Sequence, residues 1–108
     1  MSENMIWLSY DLGVTGDYEG MYAWLDDQGA RECNSSLAFF QYSYKDDLLE
    51  SLKQEIHNAI NINNRSRIYV IFREGGKTKG RYLIGKRKNP PWTGFGSHDD
   101  PEQDESPS

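Results

Sequence analysis

Five stretches of this chain are extended and apolar in the manner of strands, and two others repeat their apolar residues at helical spacing. Residues 5–12 (MIWLSYDL) are apolar and aromatic almost without a break. That is the pattern of a strand buried on both faces and therefore central in a sheet. GVTGD follows as a turn, with Thr15 or Asp17 placed to cap a helix over residues 17–28. Within it Tyr18, Met21, Tyr22 and Leu25 recur at three- and four-residue spacing and share one face, and Gly29 supplies the stop. Residues 30–35 and 37–44 read as two extended segments joined around Asn34-Ser35-Ser36, a hairpin. Asp46 or Asp47 opens a second amphipathic helix, whose stripe is Leu48, Leu49, Leu52, Ile56 and Ile60. Residues 67–73 (RIYVIFR) form another strand, and a Gly75-Gly76 turn leads to a short edge strand at 81–85 (RYLIG).

The order is therefore β-α-β-β-α-β with an additional C-terminal strand. It matches a ferredoxin-like α+β sandwich, with an antiparallel sheet and both helices on one face. The 108 residues leave room for one domain, 1–96, and residues 97–108 read as a disordered acidic tail. A core this small is often stabilised by association, which makes a homodimer the expected state. No apolar run is long enough to span a bilayer, and the first residues lack a signal-peptide pattern, so no membrane partner and a cytoplasmic location are expected. The single cysteine, Cys33, fits a reducing compartment and reads as a small buried hydrophobe.

Charge is strongly segregated along the chain. Seventeen acids face twelve bases, but the whole deficit of five lies in residues 97–108, which carry no Lys or Arg. Residues 1–64 hold eleven acids and three bases. Between positions 65 and 88 the balance reverses, with Arg65, Arg67, Arg73, Lys77, Lys79, Arg81, Lys86, Arg87 and Lys88 against Glu74 alone. These nine side chains are the candidate nucleic-acid-binding set, although they also have an acidic half of the fold to pair with.

IWLSYDL, GDYEGMYAWLDDQGA, the SSLAFF hairpin, RIYVIFR and the closing Trp92-Thr-Gly-Phe95 together resemble the small bacterial SinR-like proteins. Those are similar in turn to the CRISPR-associated Cas-two proteins and the VapD toxins. The resemblance spans most of residues 5–95 and implies a ferredoxin-like homodimer in which an aspartate ends the first strand. Asp11 stands at that position, and Ser36 (or Ser35) stands where the family's hairpin carries a serine. In a nuclease, Asp11 from both subunits would hold one Mg²⁺ and activate its water, with the serine hydroxyl on a phosphate. The first helix departs from the family, carrying Asp17, Glu19, Asp26 and Asp27 and no base.

Each of these residues also has a plainer reading. Asp11 suits a strand-end carboxylate taken up by turn amides at 13–16, Ser36 a turn hydroxyl, and the tryptophans a core or a dimer interface. Trp92 and Phe95, behind two prolines, are expected to pack on the sheet or on a partner. His57 and His98 have no metal-ligand spacing, and no P-loop is present. The sequence thus points to a non-catalytic module that binds nucleic acid or protein, with a metal-dependent endonuclease as the alternative.

Overall fold

The computed structural model describes residues 2–86 and 92–96. Its elements are β1 (Ser2–Asp11), α1 (Tyr18–Asp27), β2 (Arg31–Asn34), β3 (Leu37–Tyr44), α2 (Leu48–Ala59), β4 (Arg67–Glu74) and β5 (Lys77–Ile84). One five-stranded sheet runs β2-β3-β1-β4-β5, and every neighbouring pair is antiparallel. The order is compatible with a ferredoxin-like arrangement, with β5 added outside β4. Residues 97–108, the expected tail, and Arg87 and Lys88 lie outside the described residues.

β1 is central, as expected, but only one of its faces is sealed. Ile6, Leu8 and Tyr10 are buried, whereas Trp7 and Ser9 are half-buried and Met5 is 43% exposed. Successive side chains of a strand point to opposite faces. Both helices pack on the side of Ile6 and Leu8: Trp24 of α1 meets Phe40 of β3 edge-on with ring centroids 5.6 Å apart, and α2 reaches Tyr42 of the same face. The unbroken apolar run thus reflects a second face that is apolar yet uncovered by either helix.

Each helix starts on an aspartate. The Asp17 carboxylate accepts from Gly20 N at 2.9 Å and, from beyond the end of α2, Asn61 N at 2.9 Å. It therefore caps α1 and fastens it to α2 with one side chain. Gly20 makes that approach possible, since a β-carbon there would meet the Ala59 carbonyl and the Asp17 carboxylate. Asp47, the nearer of the two candidates, caps α2 through Leu49 N and Glu50 N. On α1 the buried residues are Met21, Trp24 and Leu25, while Tyr22 is 53% exposed, so the inward face is turned from the predicted Tyr18-Met21-Tyr22-Leu25 stripe.

Two polar groups inside the helix–sheet layer are joined to Glu55. Tyr42 Oη lies 2.7 Å from Ser51 Oγ and donates to Glu55 Oε2 at 2.8 Å, while Trp24 Nε1 donates to Glu55 Oε1 at 3.2 Å. One carboxylate thus ties β3, α1 and α2 together. Burial, foremost, pushes the Tyr42 phenol up to about 12.

β5 is longer than predicted, because Gly75 and Gly76 both take positive φ, 62° and 80°. Such a pair forms a tight turn whose twist matches the flanking strands, so pairing continues from Glu74↔Lys77 onward. A bulge opposite Ile68 and Tyr69 then lets consecutive Leu83 and Ile84 both enter the core. Cys33 is exposed, contrary to its expected burial: all four residues of β2 are exposed on this short edge strand, and Cys33 falls where its pairing with β3 shifts register. No helix among the described residues is long and apolar enough to cross a membrane.

Candidate functional site

The face of the sheet that neither helix covers carries a chemically distinctive set of side chains. Alternation places Met5, Trp7, Ser9 and Asp11 on that side of β1. The register sets Trp7 between Phe39 of β3 and Ile71 of β4, and Ser9 between Leu37 and Tyr69. Tyr82 of β5 continues the row opposite Tyr69, their rings edge to face at 5.0 Å. Trp7 and Phe39 are stacked, with centroids 6.1 Å apart and planes 20° from parallel. The result is a continuous band of aliphatic and aromatic side chains across four strands, all partly open to solvent. Bands of this kind mark interaction surfaces.

Charged residues of both signs border the band. Glu3 and Asp11 stand at the two ends of β1, while Arg67 and Arg73 stand on β4 by the same alternation. Glu3 is held by Gln41 Nε2 at 2.9 Å. Arg73 donates to Thr78 Oγ1 and to the Gly76 carbonyl at 3.0 and 2.8 Å, bracing the β4–β5 turn.

Asp11 ends β1, where the sequence puts it, and its carboxylate is already engaged. Oδ1 accepts from Gly13 N at 3.2 Å and Oδ2 faces Arg67 Nη2 at 3.4 Å. Ser36 lies at the same end of the sheet, where its carbonyl accepts from Tyr10 N at 3.0 Å. Its own N–H and hydroxyl turn back on Asn34 Oδ1 at 2.9 and 3.4 Å, so the side chain closes the hairpin. Among the described residues no group of three or more His, Cys, Asp or Glu is placed to hold a metal ion. One carboxylate with a guanidinium against it does not fit Mg²⁺ within a single chain, since that cation needs several hard oxygen donors.

The seven of the nine basic residues that are described do not form one track. Arg67 and Arg73 lie on the open side, and each has the partner named above. Lys77, Lys79 and Arg81 alternate to the other side of β5; Lys79 pairs with Glu74 at 2.8 Å and Arg81 donates to the Gly80 carbonyl. Arg65 precedes β4, its side chain packed beside Gly13, and Lys86 follows β5 as an exposed residue. The basic cluster in the sequence is thus a hairpin with charge on both faces. Of the two places expected for Trp92 and Phe95, the sheet or a partner, the sheet of their own chain is not the one they take: they are 71% and 85% exposed in a turn closed by Phe95 N donating to the Trp92 carbonyl at 3.0 Å.

The unbroken apolar run of residues 5–12 predicts burial on both sides and so conceals the open band. The signal was present in Leu37-Phe39 and Tyr69-Ile71, apolar residues at the odd positions of strands whose even positions are also apolar. Comparison of the chain with family models, with curated proteins and with solved structures returns no match.

Proposed function

We propose that this chain is a non-catalytic binding module that works as a homodimer closed through its open sheet face, offering the basic β4–β5 hairpin to an anionic partner, nucleic acid foremost. The observation that carries this reading is the band of Met5, Trp7, Leu37, Phe39, Tyr69, Ile71 and Tyr82 on the uncovered face. Aliphatic residues interleave with the rings, which favours close packing of protein against protein over the stacking of bases. Acids on β1 and arginines on β4 give the rim both signs, which suits a second copy of the same surface better than a uniform polyanion. The resemblance to SinR-like and Cas-two proteins supports the same assembly, and an exposed, unpaired Cys33 supports a reducing, cytoplasmic setting.

Sedimentation of the full chain tests the assembly. The wild type is expected to run as a dimer, and Ile71→Glu as a folded monomer by circular dichroism. A wild type that stays monomeric at concentrations where Ile71→Glu behaves identically overturns it. Oligonucleotide binding that weakens with added salt and survives Asp11→Ala supports the anionic partner. The endonuclease remains the second reading, favoured by one observation: Asp11 lies on the open side, so a face-to-face dimer carries both copies along one interface. Mg²⁺-dependent cleavage lost in Asp11→Ala would replace the binding module with that enzyme.

A further inference from the structure

Between α1 and the edge strand β2 the helix and sheet layers part. β2 has four residues against eight in β3, and all four are exposed. The small side chains of Ala30 and Ala38 line the space here, whereas Phe40 and Tyr42 fill the inward positions farther along β3. What results is an open cleft of about 350 Å³ with Leu25 and the two alanines as its apolar lining. Its polar lining is Tyr10, Tyr22, Asp26, Arg31, Glu32 and Ser35. The volume suits a small ligand group.

Three features of the lining point the same way. Tyr22 and Asp26 are one helical turn apart on α1, and Tyr22, 53% exposed, stands edge-on to Tyr10 with centroids 6.4 Å apart. The side chains of Asp26 and Glu32 enter no ion pair or hydrogen bond among the described residues, and neither does that of Arg31, which is exposed at the rim, so the cleft keeps an excess of one negative charge. Tyr10 is only 5% exposed, yet its hydroxyl has no hydrogen-bond partner among the described residues and is not sealed from solvent. A phenol in that position, on the lining of a cleft, is an unfilled acceptor as well as a donor. Burial, followed by the neighbouring Tyr22 and the charge of Glu32, raises its pKa, so the phenol stays protonated.

We propose that this cleft binds an organic cation, an alkylammonium or alkylguanidinium group, with its stem on Leu25 and the alanines and its head between Asp26, Glu32 and the Tyr22 ring. Two carboxylates and an aromatic face are the elements that recognise such a group, and the apolar lining accepts the methylenes that water solvates poorly. The Tyr10 hydroxyl accepts one N–H of the head. An anion drawn to Arg31 would have to approach both carboxylates. The cleft lies on the helix side of the sheet, away from the proposed dimer face, so it is testable independently of it.

The experiment titrates the isotope-labelled full chain with spermidine and, separately, with N-acetylarginine methylamide, following backbone amide shifts. Adenosine monophosphate and uncharged N-butylacetamide serve as controls. Saturable shifts at Tyr22, Asp26 and Glu32 with either cation, absent with both controls, are expected; the better of the two cations identifies a polyamine or an arginine side chain as the source. Asp26→Asn with Glu32→Gln is expected to weaken binding about ten-fold or more, and Tyr22→Ala comparably, while Tyr22→Phe retains it. All three positions are at the surface, and an unchanged amide spectrum elsewhere verifies the fold. Shifts confined to residues 97–108, no saturable shifts, equal binding of the controls, or binding unchanged by the carboxylate substitutions would each overturn the proposal.

Discussion

Tyr69 lays its ring across Gly80 on the neighbouring strand, in the space that a β-carbon at position 80 would take. The ring has little freedom to withdraw, because Tyr82 holds it edge-on from the same strand as Gly80. Gly80→Ala is therefore expected to destabilise the domain by about 1–2 kcal/mol through overpacking, read by urea unfolding. Tyr69→Ala in the same chain should return most of that loss, a coupling that two independent sites would not show.

Asp11 and Arg67 join β1 to β4 at a solvent-open end, with side chains 57% and 30% exposed. An ion pair so placed contributes little. Asp11→Asn is expected to lower stability by less than about 1 kcal/mol, with the difference shrinking in added salt. A much larger thermal shift would mean that the carboxylate carries more of the fold than its two contacts account for.

Tyr42→Phe removes a hydroxyl that bridges Ser51 and Glu55 while leaving Glu55 its bond from Trp24. The expected cost is about 1–2 kcal/mol at neutral pH. The phenol titrates at about 12 folded against 10.0 when free. Above pH 10 the unfolded chain therefore binds fewer protons than the folded one, and this contribution, complete below pH 10, is lost as pH rises toward 12. Wild type should lose stability over that window more steeply than Tyr42→Phe in parallel urea unfolding series.

Asp17 titrates below its usual 3.8, chiefly because Asn61 N–H donates to its carboxylate and then because Gly20 N–H does. Its contribution is present above pH 3.8 and disappears as pH falls through the lowered value. The melting temperature of Asp17→Ala should lie below that of wild type at neutral pH, and the gap should close on acidification through that range. A gap independent of pH would point to lost packing in place of the lost charge.

Features set by a self-sufficient local signal are legible in the sequence. Capping aspartates, the Gly75-Gly76 turn and the spacing of Leu52 and Ile56 need no knowledge of the rest of the chain, and all stand where they were expected. Features are not legible where a side chain's surroundings come from distant segments. Tyr22 and Trp24 are both aromatic in a helical projection, and Phe40 and Glu55, distant in sequence, are what Trp24 meets on turning inward. Cys33 is exposed because β2 turned out to be an edge, which depends on the order of all five strands. For the candidate sites the position of Asp11 was legible, and its partner Arg67, fifty-six residues away, was not. The α1–β2 cleft was equally hidden, since it exists through two alanines that read in sequence as ordinary filler.

The four-residue, register-shifted β2 has a consequence for how copies of this chain meet. A sheet grows sideways only where an outer strand presents a regular run of unpaired amide and carbonyl groups, and β2 presents very few before its irregularity. Crowded molecules are thus denied an easy template for strand-by-strand stacking along that border. The broad open face, where contact ends once two surfaces have met, suits the meeting of copies better than this border does.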